Sequence, residues 1–464
     1  MPSACSLPPS GALSVGIARS YLVPIPGGKR LFLRVSLLGL SLLFPLWARG
    51  AASPFPNIRH VIHISADGLG GVYLSGYLAK SPGDFPAIRR LRVEGAATLN
   101  ARCDSDNSET EPNHTSMFTG RPALRLATSK AYSVPHGLMV NEDPGSPSTL
   151  HSLGNLADSY KSSVFDVVHD HGLSTAFFAG KQKFELFIRS YDDDHGAEDL
   201  VGVNNGHAKI DYSSIVDSSL PEFALQNSAR LIALVEEQLT EASPGYTFVH
   251  LSDPDVAGHR YGWGSEQYRS AVLNIDRQLA KIFAMIEANP EMKNRTAILL
   301  TSDHGGGEGA LTHLDTRDRM TFTVPMMLWG PGVPSGVDLY ELFGNRAEPG
   351  VSYIDPSGPR QPLRNGDSGN LALEVLGLPA IPGSSLLPEF KPRVSVQRNG
   401  NSLVFSWPIT EAAVDLQRSE RISDAAWTKV TEGIVQRDGE NIYTVRNGTS
   451  ASAQFYRLSQ TATR

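Results

Sequence analysis

Three apolar runs in this chain each stop at residues that bind cations. His60-Val-Ile-His-Ile-Ser65 leads into Ala66-Asp67-Gly68, Tyr246-Thr-Phe-Val-His-Leu-Ser252 into Asp253 and Asp255, and Thr296-Ala-Ile-Leu-Leu-Thr-Ser302 into Asp303-His304-Gly305. Short runs of this kind read as strands buried on both faces. In open parallel sheets, ligands gather beyond the carboxyl ends of the strands, so three strands aim chemistry at one edge. Apolar residues at helical spacing over 220–241 and 265–288 supply the intervening helices, and the alternation predicts an α/β sandwich.

The 464 residues, 41% hydrophobic and 19% charged, suit a globular protein of two or three domains. A net charge of −7 argues against a surface built to neutralise a nucleic-acid backbone. A small anionic substrate is compatible with that charge when bound metals provide the positive field. Lys29, Arg30 and Arg34 precede an apolar stretch, 35–47, and then Gly50, Ala51 and Ala52. That order predicts a leader and secretory signal peptide over 1–52 and an exported, periplasmic or extracellular protein. The stretch is short for a membrane span, so no stable membrane insertion is expected; an uncleaved anchor is the alternative. Loss of Cys5 with the leader leaves Cys103 alone, which precludes an internal disulfide.

Residues 53–390 form the expected catalytic domain. Beyond Pro388, Asn399-Gly400 separates two strand-like runs, and Val414-Asp-Leu-Gln, Trp427-Thr-Lys-Val, Ile442-Tyr-Thr-Val and Phe455-Tyr-Arg-Leu follow. A small all-β sandwich domain is predicted over 391–464, with packing or contact to a polymer or cell surface as its role. The stretch 190–212, with its acidic Asp192-Asp193-Asp194, reads as a solvated surface loop, a calcium site being the alternative.

Thr110 precedes Pro112 and a helical pattern, which puts it just before a helix N-terminus, where free N–H groups suit a phosphoryl oxygen. Asp255 and His259 stand four apart and share a face if helical. Asp303 and His304 abut at a strand end, and a Gly-rich loop, Gly305-Gly-Gly-Glu-Gly309, leads to His313. Three Asp, three His and one hydroxyl are the ligand inventory for two divalent ions that clamp an in-line displacement at phosphorus.

The motifs Ala66-Asp67-Gly68, Thr110-x-Pro112-Asn113-His114, His136-Gly137-Leu138-x-x-Asn141, Asp255-x-x-Gly258-His259 and Ser302-Asp303-His304-Gly305 together resemble the type I phosphodiesterase and nucleotide pyrophosphatase family of the alkaline phosphatase superfamily. The resemblance implies an alkaline-phosphatase-like three-layer αβα sandwich and two zinc ions. One would be held by Asp67, Thr110, Asp303 and His304, the other by Asp255, His259 and His313. Thr110 would be the catalytic nucleophile, giving a phosphothreonine-type intermediate that water then cleaves. Asn141, with a backbone N–H near Thr110, would hold a nonbridging phosphoryl oxygen.

Two features depart from that pattern. Glu111 stands where nucleotide-cleaving members of the family carry an aromatic residue, and a carboxylate cannot stack a base. Lys181 and Lys183, after the strand-like run 174–179, resemble paired basic residues of related phosphatases and phosphonoacetate hydrolases, and as substrate-binding groups they would favour a dianion. Phosphodiester or pyrophosphate hydrolysis is thus expected first. Phosphomonoester or phosphonate hydrolysis is the alternative, and an inactive surface-binding scaffold a remote one.

Overall fold

The structure is a computed structural model that describes residues 53–124, 134–201, 206–217, 219–220, 224–355, 360–392, 394–409, 414–421, 427–437, 440–446 and 454–460. The leader and signal peptide expected over 1–52 lie outside them. Among the described residues no helix is long and apolar enough to cross a membrane.

Seven strands make the central sheet: β1 (His60–Ala66), β2 (Ala96–Arg102), β3 (Thr175–Ala179), β4 (Tyr212–Ile215), β5 (Tyr246–Leu251), β6 (Thr296–Thr301) and β7 (Thr323–Trp329), in the order β2-β7-β6-β1-β5-β3-β4. The three strands read from the sequence are the contiguous centre, β6, β1 and β5, all parallel. Their side chains alternate between two cores. In β6, Ala297 and Leu299 face one cluster while Ile298 and Leu300 face the other, and both sets are fully buried. That two-sided burial explains the unbroken apolar runs.

The sheet is not wholly parallel, because β7 runs antiparallel to both β6 and β2. A parallel return needs a long crossover, usually helical. Between β6 and β7 the chain carries the ligand loop and a single short helix, so it turns back beside the strand it left. The strands β2, β4 and β7 were not read from the sequence.

The helices are α1 (Gly71–Lys80), α2 (Pro86–Glu94), α3 (Thr110–Thr119), α4 (Leu150–Leu153), α5 (Val164–Asp170), α6 (Glu185–Ser190), α7 (Ala224–Glu241), α8 (Asp253–Tyr261), α9 (Glu266–Ala288), α10 (Arg319–Phe322) and α11 (Ser368–Leu376). Apolar residues of α3, α5 and α11 share one core with the sheet, and those of α1, α2, α7 and α9 the other, which makes three layers. The two long predicted helices are α7 and α9; Ser265 caps α9 by accepting from the Tyr268 N–H.

After Lys391 the strands β8 (Ser395–Asn399), β9 (Ser402–Pro408), β10 (Val414–Ser419), β11 (Thr428–Lys429), β12 (Ile434–Arg437), β13 (Glu440–Arg446) and β14 (Phe455–Gln460) form two antiparallel sheets, β12-β13-β9-β8 and β11-β10-β14. Phe405 and Trp407 of one sheet pack with Leu416, Tyr456 and Leu458 of the other. The first hairpin pairs Asn399 with Ser402, so its turn is Gly400-Asn401, one residue later than the dipeptide singled out in the sequence. Gly400 takes φ +57°, the left-handed conformation such a turn needs.

Candidate metal centre and active site

The carboxyl ends of β1, β5 and β6 bring their acidic residues together as expected. Asp67 follows β1 directly, and Asp303 and His304 follow β6. Asp255 and His259 lie one turn apart on α8, with His259 Nε2 3.3 Å from Asp255 Oδ1. The Gly-rich loop returns His313 over the site, stacked on His304 with ring centroids 3.7 Å apart. Two clusters result. Asp67, Asp303 and His304 make one and Asp255, His259 and His313 the other, with ligand atoms within 4.8 Å of each other in each.

The hydrogen bonding of these six residues fits two cations. His259 Nδ1 lies 2.8 Å from the Leu311 carbonyl, His304 Nδ1 2.9 Å from the Gly305 carbonyl and His313 Nδ1 2.7 Å from the Ser108 carbonyl. Carbonyl oxygens only accept, so each Nδ1 carries the proton and each Nε2 offers its lone pair. The carboxylates are divided in the same way. Asp303 Oδ1 accepts from the Gly68 and His304 N–H groups, Asp67 Oδ2 from His250 Nε2, and both Asp67 Oδ2 and Asp255 Oδ2 from Lys181. Asp67 Oδ1, Asp255 Oδ1, Asp303 Oδ2 and His304 Nε2 are left buried without a hydrogen-bond partner. Such orphaned atoms are costly unless something else meets them. Their convergence is what a divalent-metal pair requires.

The electrostatics agree for all but His259, which the Asp255 carboxylate beside its Nε2 raises. Burial alone would raise the carboxyl of Asp67, but the Lys181 ammonium and His250 beside it hold it well below the usual range. Asp255 is likewise held low, against burial and the repulsion of Asp67, by Lys181. Asp303, buried beside Asp67, is pushed well up. Burial lowers His304, and takes His313 down to about 3, which keeps both imidazoles neutral.

Thr110 is the first residue of α3, with Glu109 as the N-cap, one position further into the helix than the sequence suggested. Pro112 therefore sits in the first turn, where its missing N–H breaks no helical bond. His114 fixes this turn through Nδ1 to the Thr110 carbonyl and Nε2 to Ser65 Oγ, both at 2.8 Å. Thr110 Oγ1 is 3.5 Å from Lys181 Nζ.

Asn141 lies beside the Thr110 turn. Its Oδ1 accepts from the Glu111 N–H at 3.2 Å and from Lys183 Nζ at 2.8 Å. That leaves the side-chain amide to donate, whereas the Glu111 N–H is already engaged by Asn141 itself. Lys183 is also paired with the buried carboxylate of Glu111 at 2.7 Å. Neither lysine is thus an isolated cation facing an anionic ligand. Burial raises the Glu111 carboxyl, Lys183 opposing the shift.

Sequence reasoning missed the groups behind the ligands. His250 lies inside an apolar strand, where nothing marks it as functional. With the Gly180 N–H bonded to its Nδ1, its Nε2–H is directed at Asp67. Asn365, far along the chain, donates to the Asp303 carbonyl and to Asn113 Oδ1. A cavity of about 460 Å³ opens beside the Asp255 cluster, lined by Lys181, Gln182, Lys183, Ser219, Asp255, Val256, His259 and Arg260. No Phe, Tyr or Trp is among these lining residues.

Residues 156–323 match the family described as type I phosphodiesterase / nucleotide pyrophosphatase. The match takes in Lys181, Lys183, Asp255, His259, Asp303, His304 and His313; Asp67, Thr110 and Asn141 precede it. GPI ethanolamine phosphate transferase 1 of Yarrowia lipolytica is 26% identical over 194 residues, 40% of this chain and 20% of that protein, so the chain spans about a fifth of that relative. Among solved structures, an alkaline phosphatase superfamily protein from Vibrio parahaemolyticus is 13% identical, covering 77% of each chain at a TM-score of 0.45. Murine ectonucleotide pyrophosphatase / phosphodiesterase 5 is 16% identical, covering 70% of this chain and 96% of its own, at a TM-score of 0.40. The similarity to the type I phosphodiesterase / nucleotide pyrophosphatase family thus covers 156–323, and the motifs of Asp67, Thr110 and Asn141 lie ahead of the matched segment.

Proposed function

We propose that this protein cleaves phosphate diesters by phosphoryl transfer to Thr110, with two divalent ions, zinc by the Asp and His character of the ligands, as cofactors. The observation that carries the reading is the set of open ligand atoms beside Thr110: one oxygen on each of Asp67, Asp255 and Asp303, and Nε2 on each of His259, His304 and His313. Asp67, Thr110, Asp303 and His304 would hold one ion, and Asp255, His259 and His313 the other. Bound there, the ions would supply Lewis acidity to the attacking and leaving oxygens.

The chain's own groups do the rest. Thr110 Oγ1 forms the bond to phosphorus as the ester P–O bond to the leaving alcohol breaks, and the N-terminal turn of α3 favours the negative phosphoryl group. Asn141 donates its amide to a nonbridging oxygen. Water then cleaves the phosphothreonine and restores the hydroxyl. Diesters are favoured over monoesters because Lys181 and Lys183, the groups expected to grip a second negative charge, are each matched by carboxylates. Among its described lining residues the cavity has no Phe, Tyr or Trp on which to stack a base, which supports a non-nucleotide substrate. A second reading, transfer of the phosphoryl group to an alcohol in place of water, is favoured by the ethanolamine phosphate transferase match. Export through the leader over 1–52 belongs to the same proposal.

Initial rates on bis-p-nitrophenyl phosphate, p-nitrophenyl phosphate and p-nitrophenyl thymidine monophosphate, with zinc and after chelation, test this. Faster turnover of bis-p-nitrophenyl phosphate than of the monoester is expected, with loss on chelation. Faster monoester hydrolysis overturns the diester assignment, and an alkyl p-nitrophenyl phosphate formed from the diester with an added alcohol favours transfer. Thr110→Ala should cut turnover on the order of 10³-fold or more while keeping both metals. Undiminished turnover would remove Thr110 as nucleophile.

A further inference from the structure

We propose that Lys181 is a positioning residue that ties the two metal-ligand clusters into one assembled site, by bridging one carboxylate from each. This rests on the metal reading above and concerns what holds the clusters together when no metal is bound.

Lys181 Nζ lies 2.6 Å from Asp67 Oδ2 and 2.6 Å from Asp255 Oδ2. Three elements meet there: Lys181 follows β3, Asp67 follows β1, and Asp255 sits in the first turn of α8. The ammonium takes the second oxygen of each carboxylate and leaves Oδ1, the atom aimed into its own cluster, untouched. Two of its three N–H groups are thereby used, and the third points towards Thr110 Oγ1 at 3.5 Å. This is the arrangement of a group that orients ligands through the oxygens turned away from their own clusters. It differs from the substrate-binding role that the sequence suggested for Lys181.

Charge makes the bridge necessary. Asp67, Asp255 and Asp303 are all buried, and Asp67 and Asp255 are packed backbone to backbone, the Asp255 N–H donating to the Asp67 carbonyl at 3.0 Å. Without a cation between them, two carboxylates so placed repel each other and drive the cluster apart. Bound metals would provide that cation; after chelation, Lys181 remains to do so. Removal of its charge should therefore harm the chelated protein much more than the zinc-loaded one.

The test measures thermal midpoints of the full chain, zinc-loaded and chelated, for the wild type, Lys181→Met and Lys181→Arg, with zinc content determined for each. The drop on chelation should be larger in Lys181→Met than in the wild type by about 5 °C or more, and Lys181→Arg should restore the wild-type drop. An equal loss in both forms would mean simple packing. A raised KM with the wild-type response to chelation would mean a substrate ligand; either result overturns the proposal. If Lys181→Met fails to fold in either form, adding Asp255→Asn should recover folded chelated protein, and no recovery overturns it. A wild type that takes up no zinc would instead sink the metal reading.

Discussion

At the residue scale, the position after Thr110, the proposed nucleophile, bears most on the proposed substrate. Glu111 is fully buried and meets Lys183, so the two charges that set this chain apart from the pattern of the family it resembles are paired with each other. The sequence showed both residues but not the pairing, because they are seventy-two positions apart and belong to different elements. Each was therefore weighed singly, Glu111 as a lost stacking ring and Lys183 as a free cation. A buried pair is sensitive to the loss of one member. Lys183→Ala, which strands the Glu111 carboxylate, should lower unfolding stability by about 3 kcal/mol in urea denaturation. Adding Glu111→Gln should recover most of it. An unchanged midpoint in the single variant would show that the pair is not formed in solution.

At the element scale, the motif Asp255-x-x-Gly258-His259 has its explanation in Trp263. A Cβ on Gly258 or on Gly306 would fall inside the indole of Trp263. That ring packs against His259 and His313, with centroids at 5.2 and 5.7 Å, and donates its N–H to the Gly68 carbonyl. Gly68, at φ +73°, lets α8 approach, since its Cβ would lie 2.7 Å from the Asp255 Cα. The glycines thus make room for one aromatic wedge behind the second ligand cluster. Gly258→Ala should displace Trp263 at a cost of about 1–3 kcal/mol and lower zinc content from two ions towards one per chain. Two tightly held ions in that variant would argue against the wedge. Periodicity and apolar runs made β1, β5, β6, α7 and α9 legible. The antiparallel β7 was not, because its direction follows from the connection after β6 rather than from its own residues.

At the scale of the whole molecule, every open ligand atom lies in the α/β part, and the two small sheets after Lys391 bury a core of their own. We propose on that basis that 391–464 is an accessory module. A chain ending at Pro392, which keeps the Phe390 ring against Phe55 and Phe343, should retain kcat/KM on a soluble diester within about twofold. A large loss would tie the module to catalysis. The sequence by itself determined the candidate ligand set: the residue types, their order and their positions at the ends of apolar runs are local properties, and local patterns survive in one dimension. The tertiary structure decided how those residues share their atoms. Lys181 joins Asp67 to Asp255, His250 backs Asp67, and Lys183 meets Glu111 across gaps of 72 to 183 positions. Partnerships of that kind are set by which strand lies beside which and by the need to neutralise buried charge, and neither is written in any local stretch of chain.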